Sequence, residues 1–483
     1  MSESVDFDRI RQFVFSETGL TYYQCRENEL RRKIDKALKC TGASDYQQYL
    51  ELLSVDADAG SKVFDDLISE LTIGETHFFR DETLFTAVRD VALPVAIEKN
   101  KHKKRLWIWS AGCATGEEVY TIAMILQIHF ANQLQGWDVR ITGTDINRAF
   151  LHRALQGVYT EWSFRGTPPQ IINDCFIQQG KTWRIRPEYK RYVAFQYHNL
   201  VKTPYPSVFH NLFAFDMIFC RNVMIYFNSD TVKRIVLQFQ QALVKDGWLI
   251  VGHADHSVKH FSTFKTIMQL GTSFYRNSQR SDWVQEKIVL PTQSPLWSDL
   301  QEPSEKHLVN SPGVDFIEKG LNEKKAPPLR PRKVKKRGSV RIAPFEKTVA
   351  KGLSGSEALA ALMNRGDWDN AKQLCQDLLA TQPMDAVVHL LAAFIAEQEG
   401  RIDDAIDALK KALYLDRKFV VGHYHLALMF QKIGELQKAE KGFSNVAKLL
   451  EDYNEDDIFE IADGISAGQL KQLSHFHLEI LKG

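Results

Sequence analysis

The residues best suited to chemistry lie between Leu106 and Met124, in the stretch LWIWSAGCATGEEVYTIAM. Ser110 to Gly116 supplies small residues and two glycines, so the backbone can turn sharply and a ligand can approach closely. The run before it, Leu106 to Trp109, is apolar and aromatic in the manner of a buried strand. From Glu117 onward, Tyr120, Ala123, Met124 and Leu126 fall at helix spacings. Strand, glycine turn and helix N-terminus together form the ligand crevice of an open parallel sheet.

The chemistry of that turn narrows the ligand. A dinucleotide wants G-x-G-x-x-G and free positive potential at the helix start, whereas here Gly112 and Gly116 are followed by Glu117 and Glu118. The helix dipole favours acids there, but two carboxylates repel phosphate. They suit a cationic ligand, and S-adenosylmethionine carries an ammonium and a sulfonium. A P-loop signature is absent. A helix that is merely well capped after a buried strand would use the same residues. One βα unit later, Val139 to Thr144 leads into Asp145. An acid at that strand end can accept both ribose hydroxyls of a nucleoside, or it can cap the next helix.

The elements that must position these groups follow from the rest of the chain. With 483 residues, 44% hydrophobic and 25% charged, an ordinary globular protein of two to four domains is expected. The net charge of +1 excludes strong global attraction to nucleic acid. The six cysteines are scattered without a C-x-x-C pair, as in a reducing cytosol. The opening MSESVDFDRI lacks a secretory signal, and no apolar run is long enough to span a bilayer. A cytoplasmic location without membrane insertion is expected.

Residues 1–75 read as a helical domain, with segments at Phe7 to Thr18, Asn28 to Lys39, Tyr46 to Ser54 and Ser61 to Leu71. The second presents a basic face, Arg32, Lys36 and Lys39, either a solvated surface or a dock for an acidic partner. Residues 76–282 read as the α/β domain. A small β insertion is expected at about 160–198, where Thr182 to Arg186 alternates and Val193 to Phe195 follows. Asn228 or Ser229 caps a helix carrying Val232, Ile235, Phe239 and Leu243, which Gly247 ends. Thr272 to Arg276 reads as the final edge strand. Residues 283–354 form a linker with a dense basic run at Lys324 to Arg341, too poor in apolar residues to bury a core.

Residues 355–483 carry a repeat. Gly366 and Ala371 recur as Gly400 and Ala405, then as Gly434 and Ala439, each time 34 residues on, which is the tetratricopeptide period. The glycine permits a tight turn within each helical hairpin, and the alanine lets its helices approach closely. The linker composition marks the repeats as a separate unit.

Taken together, ETHFFRD (75–81), WSAGCATGEE (109–118), GTDIN (143–147), HNL (198–200), FCRNVMIYF (219–227) and GH (252–253) resemble the CheR family of S-adenosylmethionine-dependent chemoreceptor glutamate methyltransferases. The resemblance spans about residues 5–280, and the repeats resemble a tail found in a Wsp-like subgroup. It implies a Rossmann-like methyltransferase domain behind an N-terminal helical domain, with a C-terminal all-α tetratricopeptide domain. It also implies that Thr76, Arg80, Glu118, Asp145, Asn199, Leu200, Arg221 and Asn222 bind the cofactor. Arg221 and Tyr226 would line the transfer end and hold the substrate carboxylate, with no metal. The implied partners are chemoreceptor cytoplasmic helices, together with an unidentified protein for the repeats. Nucleic acid is not expected.

Three features depart from the family pattern. Gly74 stands where an asparagine is usual, and Ala254-Asp255-His256 replaces Ser-Glu-Asn. Gln178 to Trp183 lacks the glycine-rich turn of members that grip a receptor's C-terminal tether, which points to direct docking. Two competing readings remain: a chemosensory scaffold with a degenerate methyltransferase fold, and a methyltransferase acting on RNA or a small molecule.

Overall fold

The structure is a computed structural model that describes residues 2–55, 62–257, 260–269, 272–278, 354–364, 366–455, 457–459, 462 and 465–482. The basic run Lys324 to Arg341 lies outside the described residues, as does nearly all of the linker. Among the described residues, no helix is long and apolar enough to cross a membrane.

Four helices, Ser2–Thr18, Glu27–Thr41, Tyr46–Val55 and Lys62–Leu71, open the chain. They close on a core of their own that includes Phe7, Ile34, Tyr49 and Leu67. Ten strands follow in chain order: β1 (Arg105–Ala111), β2 (Asp138–Asp145), β3 (Val158–Thr160), β4 (Phe176–Gln179), β5 (Thr182–Ile185), β6 (Val193–Tyr197), β7 (Phe215–Cys220), β8 (Leu243–Val251), β9 (Lys265–Gln269) and β10 (Thr272–Arg276).

Seven of them form one sheet in the order β6-β2-β1-β7-β8-β10-β9. The five from β6 to β8 are parallel, β10 is antiparallel to β8, and β9 is antiparallel to β10. The chain runs outward from β1 through β2 to β6, then crosses back to place β7 on the other side of β1. That reversal opens a crevice beyond the carboxyl ends of β1, β2 and β7. β1 and β7 are almost wholly buried, as their mainly apolar runs require, and the one acid in β7, Asp216, accepts from Trp107 N at 2.9 Å.

The small insertion is the three-stranded sheet β3-β5-β4. Val193 to Phe195, expected within it, instead pairs with β2 at the edge of the main sheet. Alternation alone cannot say which sheet a strand joins. The opposite edge is β9, so Thr272–Arg276 is an inner strand. The helix Ser229–Ala242 is capped by Asn228, whose Oδ1 accepts from Thr231 N at 2.8 Å, and it ends without a glycine. Leu243 and Gly247 already belong to β8, paired alongside β7.

The three repeats form the hairpins Gly355–Asn364/Trp368–Thr381, Ala386–Gln398/Ile402–Leu415 and Val420–Lys432/Leu436–Leu449, followed by the helix Ala467–Lys482. Gly366, Gly400 and Gly434 take φ of 71°, 73° and 79°, the left-handed conformation that the turns need. Ala371, Ala405 and Ala439 are fully buried between paired helices. The described residues up to 278 and those from 354 onward belong to one compact unit, so the repeats are not a detached module.

Candidate active site

All nine residues singled out from the sequence line a single cleft at the sheet's switch point: Thr76, Arg80, Glu118, Asp145, Asn199, Leu200, Arg221, Asn222 and Tyr226. The N-terminal domain supplies part of its wall through Thr18, Leu20 and Tyr23.

The glycine turn forms because two positions tolerate nothing larger. Gly112 has φ 78°, and a Cβ there would meet Val223 Cγ2 at 2.4 Å; Gly116 has φ 90°, and a Cβ would meet that of Ala154 at 2.8 Å. Gly116, which has no side chain to cap with, stands at the N-cap of the helix Glu117–Phe130. The two acids that follow it part company. Glu117 is buried away from the cleft, where its carboxylate accepts from Thr115 Oγ1 (2.7 Å) and Ser163 Oγ (3.0 Å). Burial pushes its carboxyl up, against the pull of those hydroxyls. Glu118 alone faces the cleft, accepting from Ser110 Oγ at 2.7 Å and from Arg221 Nη1 at 2.9 Å.

Asp145 ends β2 with both oxygens held from below, Oδ2 by Ala114 N at 2.9 Å and Oδ1 by Asn147 N at 2.8 Å. Asn147, not Asp145, caps the next helix, accepting from Phe150 N. Burial pushes the Asp145 carboxyl up to about 6, opposed by the backbone N–H groups around it.

Arg221 is committed on two sides. Besides Glu118, its Nη2 donates to Arg80 O at 2.5 Å, and the side chain is buried. It thus joins the segment after β7 both to the first helical turn and to the 75–81 segment. Arg80 itself donates to Glu75 O at 2.7 Å. Asn199 donates to Glu17 O at 2.7 Å, which fixes the helical domain against the far wall. Tyr226 packs edge-on against Tyr22, ring centroids 5.4 Å apart. Burial raises its pKa, so the phenol keeps its proton.

Sequence reasoning missed three residues. Asp255, noted only as a departure, is the staple of the loop that displays Asn222: its carboxylate accepts from Asn222 N (2.5 Å), Gly252 N (3.2 Å) and Ile225 N (3.2 Å). Asn222 sits at φ 59°, a conformation that needs such over-determination. An acid four residues past the end of β8 is the only signal, and it is a weak one. Phe150 explains Gly74, since a Cβ there would lie 2.5 Å from the Phe150 ring, which lines the cleft instead. His77, within the 75–81 motif but not among the nine, also lines the cleft. Burial and then the positive charges of Arg165, Arg80 and Arg221 lower its pKa to about 4, so it is neutral at ordinary pH.

The donor set fits S-adenosylmethionine. The cleft offers one acid at the strand end for hydroxyls and one at the helix start for a cation. It has no lysine, and its two lining arginines are already engaged. Among the described residues, no His/Cys/Asp/Glu cluster could hold a metal ion.

Comparison with known proteins places the chain among named families. Residues 74–273 match the family described as "CheR methyltransferase, SAM binding domain", and residues 5–72 match its "all-alpha domain". Residues 362–429 match a tetratricopeptide repeat family. The chemotaxis protein methyltransferase of Borreliella burgdorferi is 30% identical over 253 residues, covering 52% of this chain and 87% of that protein. That of Escherichia coli K12 is 30% identical over 257 residues, covering 52% and 84%. Among solved structures, the Yersinia enterocolitica type III secretion translocator chaperone SycD matches 26% of this chain and 81% of its own at 20% identity. Its TM-score of 0.23 is too low to carry an argument.

Proposed function

The chain belongs to the CheR methyltransferase family, with S-adenosylmethionine as its cofactor, and from that premise we propose that it methylates glutamate side chains on the cytoplasmic helices of a chemoreceptor. The observation that carries this reading is the assembly of Arg80, Glu118, Asp145 and Arg221 from four separate segments into one charged, hydrogen-bonded cleft. A degenerate scaffold would have no need to keep that network.

Each residue then has a task. Asp145 takes the ribose hydroxyls, Glu118 faces the cationic end, and Asn199 and Leu200 flank the adenine, with Thr76 and Asn222 completing the contacts. When bound, S-adenosylmethionine supplies a methyl group on a sulfonium, and the products are a glutamate methyl ester and S-adenosylhomocysteine. A glutamate carboxylate is already anionic at neutral pH, so no residue must remove a proton. The chain's work is to exclude water and align the carboxylate. The Nη atoms of Arg221 are engaged by Glu118 and Arg80 O, so we assign Arg221 to holding the cofactor wall. The Tyr226 hydroxyl, which lines the same cleft, is the donor we assign to the substrate. Arg32, Lys36 and Lys39 are exposed on one helix, which suits an acidic receptor surface.

The test is methyl transfer from radiolabelled S-adenosylmethionine to a receptor cytoplasmic fragment, comparing glutamate with glutamine at the acceptor positions. Label on the glutamate form, released as methanol in mild alkali, is expected. Cofactor binding without any label on receptor would leave the scaffold reading standing and sink this one.

A further inference from the structure

Between β6 and β7 the chain makes a closed loop whose base is the reciprocal pair Ser207 N to Leu212 O (2.9 Å) and Leu212 N to Ser207 O (3.0 Å). Its tip, Val208 to Asn211, does not face solvent. Val208 N donates to Asn364 Oδ1 at 2.8 Å, and the buried Phe209 ring lies edge-on to Phe394 at 5.5 Å and to His425 at 6.3 Å. Asn364, Phe394 and His425 come from the first helices of the three successive repeat hairpins. A continuous face of that kind is what solenoid arrays use to bind other chains. A charged rim surrounds it: Glu397 lies 3.4 Å from Arg140 on β2 and 2.9 Å from Lys432, and Arg105 donates to Gln398 at 3.2 Å.

The same loop is continuous with the cofactor cleft. His198, Asn199 and Leu200 line the cleft, and Tyr205, five residues beyond Leu200, packs against both His198 and Trp109 with ring centroids 5.2 Å away. At the end of the tip and just beyond it, Asn211 and Ala214 hold φ of 54° and 50°, conformations that persist only where surroundings over-determine them.

We propose that the face built from the first helices of the repeats is a recognition surface whose resident occupant is this chain's own aromatic loop tip, and that its occupancy tightens cofactor binding. The repeats therefore brace the cleft wall. A protein that docks on this face must present an aromatic segment of its own and displace Phe209. Coupling of this kind is reciprocal, so cofactor also tightens the clasp.

The experiment uses the full chain with a protease site placed between residues 293 and 353. After cleavage the two halves are expected to co-elute, and affinity for S-adenosylhomocysteine by calorimetry should be unchanged. In Phe209→Ala the halves should separate after cleavage, and before cleavage the affinity should fall by about fivefold or more. Asn364→Ala combined with Glu397→Gln, which alters only the repeat side, should act in the same direction should Phe209→Ala fold poorly. Tyr414→Ala, 79% exposed elsewhere on the array, should change nothing. Separation of the unmutated halves would overturn the clasp. Release of the repeats by either variant with affinity unchanged would overturn the coupling.

Discussion

The cofactor cleft and the repeat array use backbone conformation in opposite ways. In the described part of the array, positive φ falls only on glycines: Gly366, Gly400 and Gly434. Around the cleft it falls on Phe79, Asp81, Ala114 and Asn222 as well as on Gly112 and Gly116. A repeat is stable when every local choice agrees with the whole. A ligand site keeps strained residues where they aim a donor or a side chain. The cleft holds them with buried polar staples such as Asp145 on Ala114 and Asp255 on Asn222. Among the described residues of the array, no non-glycine residue takes such a conformation for a staple to hold.

The sharpest test makes one substitution in both regions. Gly112→Ala meets both a left-handed backbone and the Val223 methyl at 2.4 Å. Strain and overpacking together should destabilise by about 2–4 kcal/mol, seen as a lowered midpoint in urea, with cofactor binding lost in whatever remains folded. A stable, cofactor-binding Gly112→Ala protein would break the comparison.

Next in size is Asp145→Ala, which removes an acceptor from the ribose and also frees the N–H groups of Ala114 and Asn147. Cofactor affinity should fall by about 1.5–3 kcal/mol, and stability should fall with it, because the carboxylate is part of the turn. The pH dependence follows from the same group. Hydrogen bonding to hydroxyls favours the carboxylate, and burial sets its pKa at about 6. Affinity should be flat above about pH 7 and fall by at most about tenfold per unit as pH drops through 6. A calorimetric titration series that stayed flat down to pH 5 would remove Asp145 from the ribose.

Arg221→Lys comes third. The guanidinium reaches Glu118 and the Arg80 carbonyl at once through separate nitrogens, which a single ammonium cannot reproduce. Cofactor affinity and methyl transfer should drop in parallel, by roughly tenfold each. Intact binding with lost transfer would instead place Arg221 on the substrate.

The smallest effect should be Gly400→Ala. Its φ is 73°, yet a Cβ would meet nothing within 4 Å, so only the conformational cost of about 1 kcal/mol remains. Cofactor affinity should not change. A loss as large as that of Gly112→Ala would mean that the repeat turns are as constrained as the cleft.

Much of this protein was legible before folding, for a physical reason. The repeat announces itself because each glycine and alanine acts within its own hairpin, and the buried strands β1 and β7 are mainly apolar runs. The nine cleft residues could be collected from short motifs and a family resemblance, and the structure brings all nine together. What each side chain touches was not legible, because those partners are distant in sequence. Glu117 and Glu118 are adjacent, yet one is buried beside Ser163 and the other meets Arg221. Only the helix phase and the crossing of β7 separate them. Composition likewise marked residues 355–483 as a separate unit, since a basic, proline-containing tract precedes them. Whether they stand apart depends on a surface match between Phe209 and the groove of Phe394 and His425. Periodicity reports which face of a helix is apolar, not what covers it, so that contact was decided by tertiary structure alone.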